Sequence, residues 1–182
     1  MTFNPIEKTN FRIDIVELQN TVIDFLTRYQ WEKSNQLCLL NTPDHAAGDP
    51  YQGIGHVNEP TYGAFGYREN DFKVFHPDYE NTILGRIYRE FPWPICRARL
   101  MRVPAKRCYT FHSDGETFRY HFGVITNDRA FFAYQESRTI HFVPADGFAY
   151  KVNVLPMHTF VNTNSDFDRI HLVLDATAEP SI

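Results

Sequence analysis

The sequence predicts a mainly β fold with helices placed first, and three patterns predict it. Beyond Pro94 the chain breaks into short runs rich in β-branched and aromatic residues: "ICRARLMRV", "FRYHFGVIT", "RAFFAYQE", "TIHFVP", "FAYKVNVL", "HTFVNT" and "DRIHLVLDA". Turn stretches such as "TND", "PADG" and "TNSDFD" separate these runs, and many short strands at such spacing build a sandwich or a barrel. Before Pro94 the period is helical instead. Third, several of the runs alternate polar with apolar residues, which in a strand puts the two kinds on opposite faces.

Each element follows from local chemistry. In residues 13–29, Ile15, Leu18, Val22, Phe25 and Leu26 fall on one face of an amphipathic helix. "QLCLLNTP" reads as a short strand stopped by a turn. The next stretch, "DHAAGDPYQGIGHVNEPTYGAFGYREND", is rich in Gly, Pro, Asn and Asp and has little periodicity. A long loop in a compact domain is usually a lid or a binding loop. The segment from Asn41 to Asp71 is therefore expected to be a lid, with Tyr51, Tyr62, Phe65 and Tyr67 as its apolar underside. "HPDYENTILGRIYREF" predicts a second helix with Asp78 as its cap, and "PWP" ends it.

Composition bounds the function. At 182 residues the chain has the size of one domain, enough to bury a core without staples. Apolar residues make up 43% and aromatics 15%, and the net charge of −4 gives no general attraction to nucleic acid or anionic membrane. No apolar run approaches the roughly 20 residues that span a bilayer. The opening "MTFNPIEKTNFRID" is polar where a signal peptide needs an apolar segment. The expectation is a soluble, cytoplasmic protein without nucleic-acid or membrane partners. Cys38, Cys96 and Cys108 form no C-x-x-C pair, so they suggest neither a disulfide framework nor a thiolate zinc site.

The polar residues on the strands carry the chemistry. "FHSDGETFRYHFG" places histidines, a carboxylate and an arginine among aromatics, and such groups are costly to bury unless paired or metal-bound. His112 and Asp114 share a face if the segment is extended. Arg119 and His121 share a face of the next strand, with Phe118, Tyr120 and Phe122 turned towards the helices. His158 opens one strand and Arg169 another. Arg169 and His171 point one way, and Ile170, Leu172 and Leu174 the other. Two histidines and a carboxylate suit a divalent transition metal with positions left open, as in non-heme iron(II) oxygenases, whereas a closed zinc site wants four ligands. A guanidinium such as that of Arg169 suits a carboxylate. His76-Pro77-Asp78 repeats the H-x-D spacing beside prolines and reads as a turn and helix cap. His141 and His171 read as strand histidines that bind nothing, and His45 and His56 as loop residues away from any metal. Arg97 and Arg99 share a face, read as solvated in preference to meeting an acidic substrate.

Taken in order, the string "HSDGETFRYHFGV…PADGFAYKVNVLPMHTFVNTNSDFDRIHLVLD" resembles the aspartyl/asparaginyl β-hydroxylase family of iron(II)/2-oxoglutarate dioxygenases, related to bacterial proline hydroxylases. The match spans residues 95–177. It implies a double-stranded β-helix, the cupin-like jelly roll, as a catalytic core over 95–177 within a single domain 1–182. Residues 1–94 then form a helical and loop part with the substrate lid. It implies His112, Asp114 and His158 as iron ligands. It implies Arg169 as the catalytic partner of the far carboxylate of 2-oxoglutarate, with Arg119 and His121 helping to hold that cosubstrate. The implied reaction consumes O2 and 2-oxoglutarate and hydroxylates an unactivated C–H bond of an amino acid or of a peptide or protein residue. Succinate and CO2 are its coproducts. A cupin-like metalloenzyme that does not use 2-oxoglutarate and a non-catalytic binding module on the same fold are the competing readings. Oligomeric state is not legible.

Overall fold

The computed structural model describes residues 5–31, 34–55, 66–114 and 118–176. Two antiparallel sheets dominate it. Strand β1 (Ile6–Arg12) precedes helix α1 (Ile15–Arg28); β2 (Gln36–Cys38), β3 (Leu40–Asn41) and β4 (Val74–Phe75) precede helix α2 (Ile83–Glu90). Then come β5 (Ile95–Val103), β6 (Arg107–Cys108), β7 (Phe118–Ile125), β8 (Ala130–Tyr134), β9 (Thr139–His141), β10 (Phe148–Val152), β11 (His158–Asn162) and β12 (Arg169–Ala176). The large sheet has the order β1-β10-β7-β12-β5-β2, the small one β6-β11-β8-β9, and β3 pairs with β4. All seven runs expected after Pro94 are strands. Among the described residues no helix is long and apolar enough to cross a membrane.

The pleat sorts each central strand into two faces. On β12, Ile170, Leu172, Leu174 and Ala176 join the apolar cluster under the helices, as do Tyr120, Phe122 and Val124 of β7 and Ala98 and Leu100 of β5. The alternate positions, Arg97, Arg99, Arg119, His121, Arg169, His171 and Asp175, form the opposite face, which meets the small sheet. The side chain of Phe118 lies outside the described set. A second apolar cluster, with Phe132, Tyr134, Val152 and Phe160, fills the rest of the space between the sheets.

Helix α1 seals the outer face with Leu18, Val22 and Phe25, each fully buried. Burying side chains of this size contributes about 1.5–3 kcal/mol each. Asp14 starts the helix by accepting from the amides of Val16 and Glu17 at 2.9 and 3.1 Å, satisfying two otherwise orphaned donors. Helix α2 is shorter than its sequence pattern suggests. Thr82, not Asp78, caps it by accepting from Leu84 N, because Pro77–Tyr79 closes a separate 3-10 turn after His76. At Gly85 an added Cβ would sit 2.0 Å from the Glu80 carbonyl oxygen, so that turn packs directly on the helix.

The N-terminal stretch is less helical than expected. Residues Ile6–Arg12 form an edge strand on β10, and β2 forms the other edge on β5. Of the aromatic underside expected in the loop, Tyr51 donates to Gln30 O at 3.0 Å and Tyr67 to Asp44 Oδ2 at 2.6 Å. Tyr62 and Phe65 lie outside the described residues.

Candidate metal centre and active site

Backbone pairing brings the two outer histidines of the expected triad together. His112 and His158 form an antiparallel bridge, each amide donating to the other's carbonyl at 3.0 and 2.9 Å. Residues directly opposed on neighbouring strands project to the same side, and the two rings lie 4.6 Å apart. Asp114, two residues on, donates its amide to Val154 O at 2.9 Å and so faces the same way. Its Oδ2 lies 3.7 Å from His112 Nε2 and 3.6 Å from His158 Nε2. One donor atom from each of the three residues falls within 4.8 Å of the others.

The tautomers are set by the chain. Nδ1 of His112 contacts Thr110 O at 2.8 Å, and Nδ1 of His158 contacts Pro156 O at 2.9 Å. A carbonyl only accepts, so both Nδ1 atoms carry the proton and both Nε2 atoms keep a lone pair for the space near Asp114. Carbonyls behind the rings fix ligand orientation in the same way at metal sites generally. His158 Nε2 is buried without a hydrogen-bond partner among the described residues, and burial depresses the ring's pKa. An orphaned imidazole nitrogen facing a second imidazole and a carboxylate fits a divalent metal.

Arg119 stands behind the triad. It donates to Asp114 Oδ2 at 2.6 Å, and its Nε lies 2.9 Å from Asp175 Oδ1. The fully buried Asp175 also accepts from Arg99 at 2.5 Å. Burial alone would raise the Asp175 pKa, but the Arg99 and Arg119 guanidiniums prevail and lower it. A continuous ionic chain therefore runs Asp114–Arg119–Asp175–Arg99.

Arg169 occupies a different place. It is buried, donates to His171 Nδ1 at 2.6 Å, and packs over the rings of Phe132 and Phe160 at 5.3 and 4.7 Å. Among the described residues no carboxylate lies within ion-pair distance of it. Burial pulls its pKa down to about 9. His171 Nδ1 in turn lies 3.5 Å from His121 Nδ1. Burial, then the Arg169 charge, pushes both histidines well below their usual pKa, so they are neutral near pH 7.

A cavity of about 710 Å³ opens onto this region, lined among others by His112, Asp114, Arg119, Phe160, Arg97 and Arg99. His121 and Arg169 are not part of its lining. The Phe160 ring stacks on His121 at 5.7 Å and touches the His158 ring at 5.9 Å. Phe160 thus stands between the open cavity and the buried Arg169–His171–His121 cluster.

Arg97 and Arg99 are not solvated: each is 2% exposed, because the Gly53 and Gly55 carbonyls and Glu69 close over Arg97 and Asp175 and Gln36 hold Arg99. Their inner face looks into the cavity. His45 pairs with Asp49, His141 contacts Thr139 at 3.0 Å, and His56 lies outside the described residues. His76 is buried against Tyr29 OH at 2.9 Å. Cys38 and Cys96 are buried and Cys108 is exposed, all free. Asp175 was not singled out by sequence, although it shares the strand face of Arg169 and His171.

No protein-family model matches the chain, and no curated protein matches it by sequence. Among solved structures, the chain is similar to the viral collagen prolyl hydroxylase of Paramecium Bursaria Chlorella virus-1, solved with 2OG. The TM-score is 0.55 at 10% identity, over 94% of this chain and 95% of that one. The nickel complex of the non-heme monooxygenase ThoJ overlaps at a TM-score of 0.34 and 15% identity, over 55% of this chain and 49% of that one. That overlap is too slight to carry an argument. The narrower resemblance to aspartyl/asparaginyl β-hydroxylases has no counterpart in these comparisons. At 10% identity the likeness to the viral hydroxylase speaks to the fold: this chain shares its mainly β, antiparallel-sheet architecture.

Proposed function

We propose that the chain is an iron(II)/2-oxoglutarate-dependent oxygenase on a double-stranded β-helix core over 95–177, hydroxylating an unactivated C–H bond of an amino acid or of a peptide or protein residue. One observation carries this reading: Arg169 is buried, has no carboxylate partner among the described residues, and is linked to the His-Asp-His cluster through Phe160, which packs against both Arg169 and His158. A guanidinium buried without an anion is costly, and the far carboxylate of 2-oxoglutarate is an anion of suitable chemistry. A cupin-like metalloenzyme that does not use 2-oxoglutarate has no use for such a residue. The 2OG complex of the similarly folded viral prolyl hydroxylase supports the same choice.

His112, Asp114 and His158 would hold the metal. Iron(II) bound there supplies dioxygen activation coupled to decarboxylation of 2-oxoglutarate, with succinate and CO2 as coproducts. The chain's own part is orientation and exclusion of water. Thr110 O and Pro156 O keep both Nε2 atoms unprotonated. Arg119 fixes the Asp114 carboxylate. Phe132 and Phe160 keep the Arg169 environment dry, where its charge acts strongly. Residues before the core, Gln36, Gly55, Tyr67 and Glu69, complete the cavity wall.

Metal analysis and calorimetry test the reading. The protein is expected to bind one iron(II) per chain and then one 2-oxoglutarate, with iron lost in His112→Ala. Binding of iron without any binding of 2-oxoglutarate contradicts it.

A further inference from the structure

We propose that Arg97 and Arg99, assisted by Gln36, form a second carboxylate-binding wall, and that the molecule hydroxylated in this cavity carries a carboxylate. The inference rests on the dioxygenase reading and names the substrate class for it.

Charge balance motivates the proposal. The assembled site would hold Arg97, Arg99, Arg119, Arg169 and a metal dication. Against them stand Glu69, Asp114, Asp175 and the two carboxylates of 2-oxoglutarate. Among the described residues, one positive charge is left without a partner. Arg68 also borders the cavity, but it is exposed and water satisfies it. The surplus must lie among buried groups, where leaving it uncompensated is expensive.

Geometry locates the surplus on β5. Arg119 lies between Asp114 and Asp175, and Arg169 would be met by 2-oxoglutarate. Arg99 shares Asp175 and donates to Gln36 Oε1 at 3.2 Å. Arg97 donates to the Gly53 and Gly55 carbonyls and reaches Glu69 only at 3.4 Å. Carbonyls satisfy hydrogen bonds without cancelling charge. The Nε atoms of both Arg97 and Arg99 are buried with no hydrogen-bond partner among the described residues. Gln36 spends its oxygen on Arg99 and on Gly55 N, leaving its amide N–H groups as donors. All three residues line the cavity that His112 and Asp114 also line. The Arg169 cluster lies outside that lining, so the two carboxylate positions are separate.

The test uses the protein loaded with iron(II) and saturating 2-oxoglutarate. Free amino acids are compared with their C-terminal amides, and capped peptides bearing Asp or Glu with their Asn or Gln counterparts. Thermal shift is read without oxygen, and succinate formation with oxygen. The two series distinguish a free α-carboxylate from a side-chain carboxylate. At least one carboxylate is expected to bind and stimulate, at a concentration ten- to a hundredfold below that of its amide, about the worth of one charge-assisted hydrogen bond. Arg97→Gln should erase most of that preference and Arg97→Lys should restore part of it, in proteins whose melting shows them folded. A structural role for Arg97 would not shift the acid-to-amide ratio. Equal response to acids and amides, an Arg97→Gln protein that keeps the preference, or no response to any carboxylate overturns the proposal. Carboxylate-selective thermal shifts with no 2-oxoglutarate consumption would instead leave the wall standing and remove the dioxygenase reading.

Discussion

Replacing Arg169 by Met should abolish cosubstrate use while leaving the protein folded. The guanidinium is fully buried with a pKa pulled down to about 9, and among the described residues only His171 Nδ1 receives a hydrogen bond from it. Exchanging buried ionic groups for apolar ones of similar volume is neutral or stabilising by about 1–4 kcal/mol. Stranding the His171 acceptor takes back about 1–3 kcal/mol. The net expectation lies between a loss and a gain of about 3 kcal/mol, and each kcal/mol moves Tm by about 2–4 °C at this chain length. The functional effect is a loss in every case. Two charge-assisted hydrogen bonds to a carboxylate contribute about 1.5–3 kcal/mol each, so 2-oxoglutarate affinity should fall at least about a hundredfold. Melting with and without 2-oxoglutarate reads both effects. Ligand at a hundred times Kd stabilises the wild type by about 2.7 kcal/mol, and the variant should show no such shift. A folded variant that 2-oxoglutarate still protects to the wild-type degree refutes the assignment.

Asp175→Asn should cost about 3–5 kcal/mol, because it leaves the buried Arg99 and Arg119 without their shared counter-charge; wild-type stability in urea would contradict the ionic chain. Stability should also fall on acidification below about pH 6.5. His121 and His171 have folded pKa values well below the ordinary one through burial, so in that window the unfolded chain binds protons the folded chain refuses. The expected slope reaches about 2.7 kcal/mol per pH unit for the pair, and a flat urea midpoint from pH 7 to 5.5 would show that the cluster is not desolvated. Phe25→Ala, at a fully buried position of α1, should cost about 3–5 kcal/mol while sparing iron binding, as dialysis and metal analysis will show.

Much of the fold was legible because it is written in short-range patterns. The period-2 runs after Pro94 and the 3.6-period stretch at Ile15–Arg28 identify their elements directly. Strand β1 carries no such signal, since "IEKTNFR" is polar at most positions and is held by edge pairing to β10 and not by its own pattern. Asp78 has the chemistry of a cap, but the proline before it starts a 3-10 turn instead, and Thr82 caps the helix. The site was legible to the same extent. H-x-D and the distal His158 became meaningful once strand alternation put them on one face. Burial, which decides the meaning of an arginine, is not visible locally: Arg97 and Arg99 look like a solvated stripe until the Gly53 and Gly55 carbonyls, Glu69, Gln36 and Asp175 close around them. Asp175 could have been found by extending the Arg169–His171 alternation two steps further. The neutral state of His121 and His171 depends on contacts across strands far apart in sequence.

Succinate formation tests the central claim most directly. Purified protein with iron(II), ascorbate and 2-oxoglutarate is expected to release succinate, slowly alone and faster with a carboxylate-bearing acceptor that gains one oxygen atom by mass. Asp114→Ala and His158→Ala are expected to abolish it while remaining folded. Protein that binds iron and remains folded yet never consumes 2-oxoglutarate with any acceptor, or triad variants that consume it at the wild-type rate, would contradict the account.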